Sequence, residues 1–358
     1  RVTHISISAP ETLRQLVLQL RGDDLLVARA VDPATEPRVY DVDFSDVVGQ
    51  ESAKRALEVA AAGSHNLILI GPPGAGKTML ARRLPTILPD LSEEEALEVI
   101  AIHSVAGVLS PEITLGARPF RAPHHSISGA GLIGGGSSPR PGEVSLAHNG
   151  VLFLDEMLEF SRGVLDGLRQ PLEDASVVIA RAAMSVTFPA RFTLVGATNP
   201  CPCGRAGEPG NKCTCGAAEV AKYAARMSGP LADRIDMHVP VGAVALRDLS
   251  SDAAPGSGSA SMRERVAHAR CAQRARYRAL RGVTCNAHVP GRWLDRHAPI
   301  ESEARALLHS AASALELSAR AYHRVLKVAR TIADLSGQET ICAPHIAEAL
   351  RYSPSVRK

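Results

Sequence analysis

Two apolar runs, Leu67–Ile70 and Val151–Leu154, are each followed at once by residues of very different chemistry. A short apolar run bounded in this way has the pattern of a strand buried on both faces of a parallel sheet. Phe192–Asn199 and Ile235–Val241 repeat the pattern, the first of them ending in polar residues. Between the runs the period changes. Glu51–Ala62 is Ala-rich with apolar positions on one side, and a second helix opens at Lys77, with Pro85 and Pro89 expected to stop it. Ser92 and Glu95 form a capping box for a helix reaching about Val105. Pro119–Pro123 leaves room only for a short strand. Val177–Arg181 and Ser185–Phe188, joined by Ala182, Ala183 and Met184, read as a hairpin. Gly129–Gly142, rich in Gly, Ser and Pro with Arg140 its one charge, reads as a long exposed loop.

The flanks differ from this core. Val2–Ser8 alternates like a half-buried strand, Glu11–Leu20 is amphipathic, Leu25–Ala30 suggests another strand, and 31–43 reads as a linker. The chain opens on Arg1 rather than Met, so residues 1–43 are expected to be the tail of a domain whose beginning is absent. Residues 249–261 are Ser-, Gly-, Ala- and Pro-rich, a flexible linker. Three or four helical patterns then run to Leu350, interrupted near Pro290 and Pro299. The expected architecture is α/β, with a parallel-sheet core at 44–248 and a helical domain at 262–358.

Composition narrows the function classes. With 45% hydrophobic and 22% charged residues among 358, the chain has ample core for two domains. Aromatics at 3% argue against base-stacking platforms as its grip on nucleic acid. A net charge of +3 does not by itself call for a polyanionic partner, so any basic surface must be local. No apolar run approaches a membrane span and no stretch reads as a signal peptide, so neither a leader nor a membrane partner is expected. Seven cysteines, four of them clustered, fit a reducing compartment, and a cytoplasmic location is the expectation.

The chemistry begins where the first strand ends. Gly71, Pro72, Pro73, Gly74, Ala75, Gly76, Lys77 and Thr78 spell the phosphate-binding loop G-x-x-x-x-G-K-T. Its glycines let backbone N–H groups converge on phosphate oxygens, and the helix opening at Lys77 adds its positive dipole end. Lys77 reaches the β- and γ-phosphates of ATP, and the Thr78 hydroxyl is a Mg²⁺ ligand. The second strand ends in Asp155 and Glu156, a Walker B pair. Asp155 is placed to hold Mg²⁺ and Glu156 to polarise the attacking water. Cys201, Cys203, Cys213 and Cys215 could close around a tetrahedral Zn²⁺, although C-x-C is the less common inner spacing. A metal-free thiol-rich loop and a redox pair stand beside that reading. His124 and His125 are adjacent, would face opposite sides if they lay on a strand, and are read as satisfied structural histidines, with a phosphate-proximal or loop-packing role as the alternative.

Taken in order, Gly71–Thr78, Leu154–Glu156, Asn199, Leu231–Arg234 and Ser318–Arg320 resemble the AAA+ ATPases, in the clade of the magnesium-chelatase motor subunit and the MCM helicases. Arg118–His125, Ser145–Gly150 and Asn199–Gly204 are similar to the YifB/ComM group of Mg-chelatase-like proteins, over about residues 1 to 350. The resemblance implies an AAA+ core followed by a helical lid, with a Lon-protease-like domain ahead of it whose tail is residues 1–43. It makes Asn199 sensor 1, Arg234 an arginine finger offered to a neighbour's ATP, and Arg320 sensor 2. Arg226 and Arg324 are the respective alternatives. It also implies a homo-hexameric ring that hydrolyses ATP and acts on single-stranded or branched DNA without reading sequence, as a helicase in branch migration during natural transformation. The Gly134–Pro141 loop and the Val177–Phe188 hairpin correspond to insertions that point into the ring's pore, where Arg140 and Arg181 would meet phosphates. A chelatase motor and a chaperone-like remodeller are the rival readings.

Overall fold

The computed structural model describes residues 10, 12–22, 40–136, 139–181, 184–207, 213–227, 229–243 and 258–354. The two strands expected at Val2–Ser8 and Leu25–Ala30 lie outside them. Nine strands are described: β1 (Leu67–Ile70), β2 (Phe120–Arg121), β3 (Gly134–Gly135), β4 (Arg140–Pro141), β5 (Val151–Leu154), β6 (Ser176–Arg181), β7 (Met184–Pro189), β8 (Thr193–Thr198) and β9 (Met237–Pro240). Five of them form one sheet in the order β2-β5-β8-β1-β9, parallel throughout.

The all-apolar strands are explained by this sheet, because both of its faces are covered. Leu67, Leu69, Val151, Phe153, Val195 and Ala197 enter one core cluster, with helices Glu51–Gly63 and Lys77–Ile87. The intervening Ile68, Leu152, Leu154 and Leu194 enter a second cluster, with Val177, Ile179 and Phe188 of the β6–β7 hairpin. Alternation along each strand thus divides its side chains between two apolar layers.

The helical region is fused to the first cluster rather than hung from it. Helix Ser259–Arg276 packs on helices Glu51–Gly63 and Lys77–Ile87. Arg270 donates to the Ala61 carbonyl at 2.9 Å, and Arg265 to Glu58 at 2.6 Å. The helix begins at Ser259, whose amide donates to both Asp43 oxygens, at 3.1 and 3.2 Å. Residues 259–261, expected in the linker, therefore belong to the helix. Among the described residues five α-helices follow 258 where three or four helical patterns were expected. Pro290 caps helix Gly291–His297 and a proline opens helix Ala343–Arg351, so these prolines start helices as well as end them.

Other expectations shift. The first described helix is Leu13–Arg21, set by a Thr12–Gln15 capping box and ended by Gly22 at φ +78°. Pro85 does not stop the loop helix, which runs to Ile87, because so near the end it removes only one internal bond. Gly129–Gly142 is not an extended loop. It holds a short helix, Gly129–Ile133, and the β3–β4 ribbon, anchored by the fully buried Leu132. The ribbon lies against the hairpin, since a Cβ added at Gly134 would come 2.8 Å from Cδ1 of Ile179.

Candidate functional site

The phosphate loop leaves β1 at the carboxyl edge of the sheet. A Cβ at Gly71 would stand 2.0 Å from the Val241 carbonyl oxygen, so only glycine lets the loop depart there. Gly74 and Gly76 follow at φ +78° and +83°, the left-handed conformation that aims successive amides inward. Lys77 donates to the carbonyls of Gly71 at 2.7 Å and Pro72 at 2.9 Å, and to Oδ1 of Asn199 at 3.1 Å. Burial lowers the affinity of its ammonium for the proton, while Asp155 and Glu156 oppose that. The Thr78 hydroxyl donates to Asp155 at 2.8 Å. An oxygen pair at that separation beside a phosphate cradle suits a hard divalent cation such as Mg²⁺.

Glu156 follows Asp155 in the left-handed conformation, φ +49°, and its amide donates to Oδ1 of Asp155 at 3.0 Å. That bend turns its side chain, 60% exposed, away from its neighbour and towards solvent. Strained backbone of this kind concentrates at functional positions. The structure therefore brings Lys77, Thr78, Asp155, Glu156 and Asn199 together at one edge.

The two histidines divide between the two roles open to them. They lie in a turn, not on a strand, with rings 4.1 Å apart. His124 is satisfied locally, 2.8 Å from the Ser126 hydroxyl. His125 instead points its Nδ1 towards Glu156, 3.8 Å from Oε2.

Arg234 and Arg320 are at the other edge. Asn66 precedes β1, and its Nδ2 donates to the Arg234 carbonyl at 3.0 Å. The four residues of β1 then separate that edge from the phosphate loop by about 13 Å. Arg234 pairs with Glu173 at 2.5 Å, and Arg320 lies 3.9 Å from the same carboxylate oxygen. The Arg234 hydrogen bond, with Arg320 nearby, holds Glu173 below the usual carboxylate range. Arg324 donates to the carbonyls of Ala232 and Ile235, both at 3.1 Å. With Arg191 and Lys327 these three arginines line a cavity of about 340 Å³. Arg226 is held elsewhere, donating to the Leu158 carbonyl at 2.8 Å and Glu159 at 2.9 Å, just beyond its own Glu156. Glu173 had no motif to announce it; its only signal is its place three residues before the hairpin.

Beside Asn199 the four thiols converge. All four sulfurs lie within 4.8 Å of one another. Cys201 stands 3.4 Å from Cys203 and 3.7 Å from Cys213, and Cys203 is 3.6 Å from Cys213. A tetrahedral Zn²⁺ with Zn–S bonds of about 2.3 Å needs S···S edges of about 3.8 Å, so the donor set fits that ion. The amides of Arg205 and Thr214, with the Cys201 thiol, hold the Cys203 thiol down at about 5. Of the two arginines expected to meet DNA, Arg140 is exposed on the ribbon, and the Arg181 side chain lies outside the described residues.

The chain matches known proteins along most of its length. The profile of the family described as magnesium chelatase, subunit ChlI, matches residues 43–249, and that of its C-terminal part matches 256–353. Competence protein ComM of Haemophilus influenzae is 46% identical over 316 residues, 88% of this chain and 61% of that protein. The uncharacterized protein YifB of Escherichia coli is also 46% identical, with the same coverage of both chains. An uncharacterized protein of Mycobacterium tuberculosis is 47% identical over 353 residues, 98% of this chain and 69% of its own length. The chain thus spans about three fifths of the length of the first two relatives.

Proposed function

The chain belongs to the magnesium-chelatase ChlI family, an AAA+-like ATPase family, and within it we propose a ring-forming, ATP-driven motor that acts on DNA in the manner of a ComM-type helicase. The observation that carries the ring is the placement of Arg234. With Lys77 at one edge of the sheet and Arg234 at the other, a single copy cannot bring both to one phosphate. Head-to-tail packing closes that gap by setting the loop edge of one copy against the arginine edge of the next, and such contacts generate rings. Six copies, the number the resemblance implies, are part of the same proposal.

Each residue then has a task. The loop amides and the helix N-terminus bind the phosphates of ATP, and Lys77 exchanges its carbonyl partners for phosphate oxygens. Thr78 and Asp155 hold Mg²⁺, which when bound neutralises phosphate charge. Glu156 accepts the proton of the attacking water, which Asn199 orients. Arg234 of the next copy offers a planar, permanently charged fork to the developing charge, and Arg320 stands beside it as a second cation. Cys201, Cys203, Cys213 and Cys215 hold a structural Zn²⁺ next to Asn199.

DNA is favoured over a protein substrate by Arg140 and Arg181 on the adjoining ribbon and hairpin, and by the 46% identity to a competence protein. Phosphate contacts of this kind position a strand without reading its sequence. The test is ATP turnover with no DNA and with single-stranded, duplex and forked DNA. Stimulation by at least one form supports the reading. No response to any of them, from a chain that also carries the segments its longer relatives have, favours remodelling of a protein partner, as a chelatase motor does.

A further inference from the structure

Gly204 is where the thiol cluster meets the phosphate loop. Its φ is +81°, and a Cβ added there would lie 2.5 Å from Cδ of Pro73 and 3.8 Å from Cγ of Asn199. The Gly204 amide donates to the Cys201 carbonyl at 2.9 Å, closing the turn that carries Cys201 and Cys203. Cys201 is itself fully buried and accepts from the Ala206 amide through its sulfur, at 3.3 Å. One short segment therefore bears two of the four thiols, presses on the loop through Gly204, and supplies through Asn199 an acceptor for Lys77, 3.1 Å from its ammonium.

Resting on the zinc reading above, we propose that the metal is a strut for the phosphate loop. Four thiolates held by one ion fix the Cys201–Gly204 turn, and the turn fixes Pro73 from outside and Asn199 from beside. The ligand of the site is a soft, tetrahedral divalent cation, and its effect is to keep the loop in the shape that receives ATP. Without the metal the turn has only its own hydrogen bonds, and the loop spends part of its time displaced. Apparent affinity for a ligand falls in proportion to the competent fraction, so a loop competent about a tenth of the time binds ATP about tenfold more weakly.

The test uses the whole chain. Zinc content and free thiols are measured first, and Co²⁺ is exchanged in, its thiolate charge-transfer and visible d–d bands reporting a tetrahedral sulfur site. Affinity for a fluorescent ATP analogue is then measured on the metal-loaded, chelator-stripped and Zn²⁺-restored protein, with far-UV circular dichroism as the check on folding. The expected result is one metal per chain, a rise in Kd of about tenfold on stripping, and recovery on adding Zn²⁺. Gly204→Ala guards against loss of fold in the stripped protein. It keeps all four thiols and the Co²⁺ spectrum, yet its Cβ displaces Pro73, so it should weaken ATP binding with the metal still present. Absence of metal, with four freely titrating thiols, overturns the zinc reading itself. Metal bound, but ATP affinity unmoved either by stripping or by Gly204→Ala, overturns the strut alone.

Discussion

Replacing Lys77 by Ala tests the nucleotide site where its chemistry is most concentrated. The ammonium is half-buried, with acceptors at 2.7, 2.9 and 3.1 Å. A phosphate oxygen bearing unit charge about 4 Å away attracts it by about 4 kcal/mol at an effective dielectric of 20. Binding must displace at least one existing acceptor, and a hydrogen bond to a charged group contributes about 2 kcal/mol. The net loss in Lys77→Ala is then about 2 kcal/mol, a rise of about thirtyfold in the Kd for ATP. Titration calorimetry with a slowly hydrolysed ATP analogue and Mg²⁺ reads it directly. Thermal unfolding of the ligand-free protein should move little, because the loop carbonyls freed by the change can turn to water. A Kd within about twofold of the unaltered chain would refute the assignment of Lys77 to phosphate, since a twofold change is only about 0.4 kcal/mol.

Other substitutions separate binding from hydrolysis and structure from both. Glu156→Gln keeps the shape of an exposed side chain and removes only its basicity, so ATP affinity should stay the same while turnover falls by about 10² to 10⁴ in a phosphate-release assay. Normal turnover would remove Glu156 from the reaction. Asp334 is the hub of the helical region, accepting from Arg276 at 2.5 Å, from Asn286 at 2.8 Å and from the fully buried Arg330 at 3.1 Å. Asp334→Ala leaves the Arg330 guanidinium without its carboxylate and should cost about 3–5 kcal/mol in urea unfolding, where a loss below about 1 kcal/mol would contradict the buried pairing.

What could be read from the sequence was what is local. Leu67–Ile70 and Val151–Leu154 appear as buried strands because both of their faces are covered, a condition written in consecutive residues. The phosphate loop is equally local, its geometry demanding glycine at fixed intervals. Glu173 is different, because its bond to Arg234 joins positions 61 residues apart that only the fold brings together. The approach of His125 to Glu156 likewise joins positions 31 residues apart that only the fold brings together. Gly129–Gly142 hid its helix and ribbon behind loop composition, and their anchor, Leu132, finds its cavity only against residues distant in the chain. The contact of Gly204 with Pro73 left no trace in either motif.

The claim that one active site is built from two copies is tested most directly by mixing. Arg234→Ala has an intact loop and no finger; Lys77→Ala has an intact finger and no working loop. Arg234→Ala alone should fall by about 10³–10⁵ in ATP turnover if the finger is supplied by a neighbour, and Lys77→Ala, assayed at ATP well below its raised Kd, should fall by about thirtyfold. In rings assembled at random from equal amounts, about one interface in four sets an intact loop against an intact finger. Turnover of the mixture should therefore recover to about a quarter of normal where interfaces act independently, and to a clearly measurable level even where they are coupled. Continued inactivity of rings shown to contain both variants, or full activity of Arg234→Ala as a dilute monomer, would contradict it.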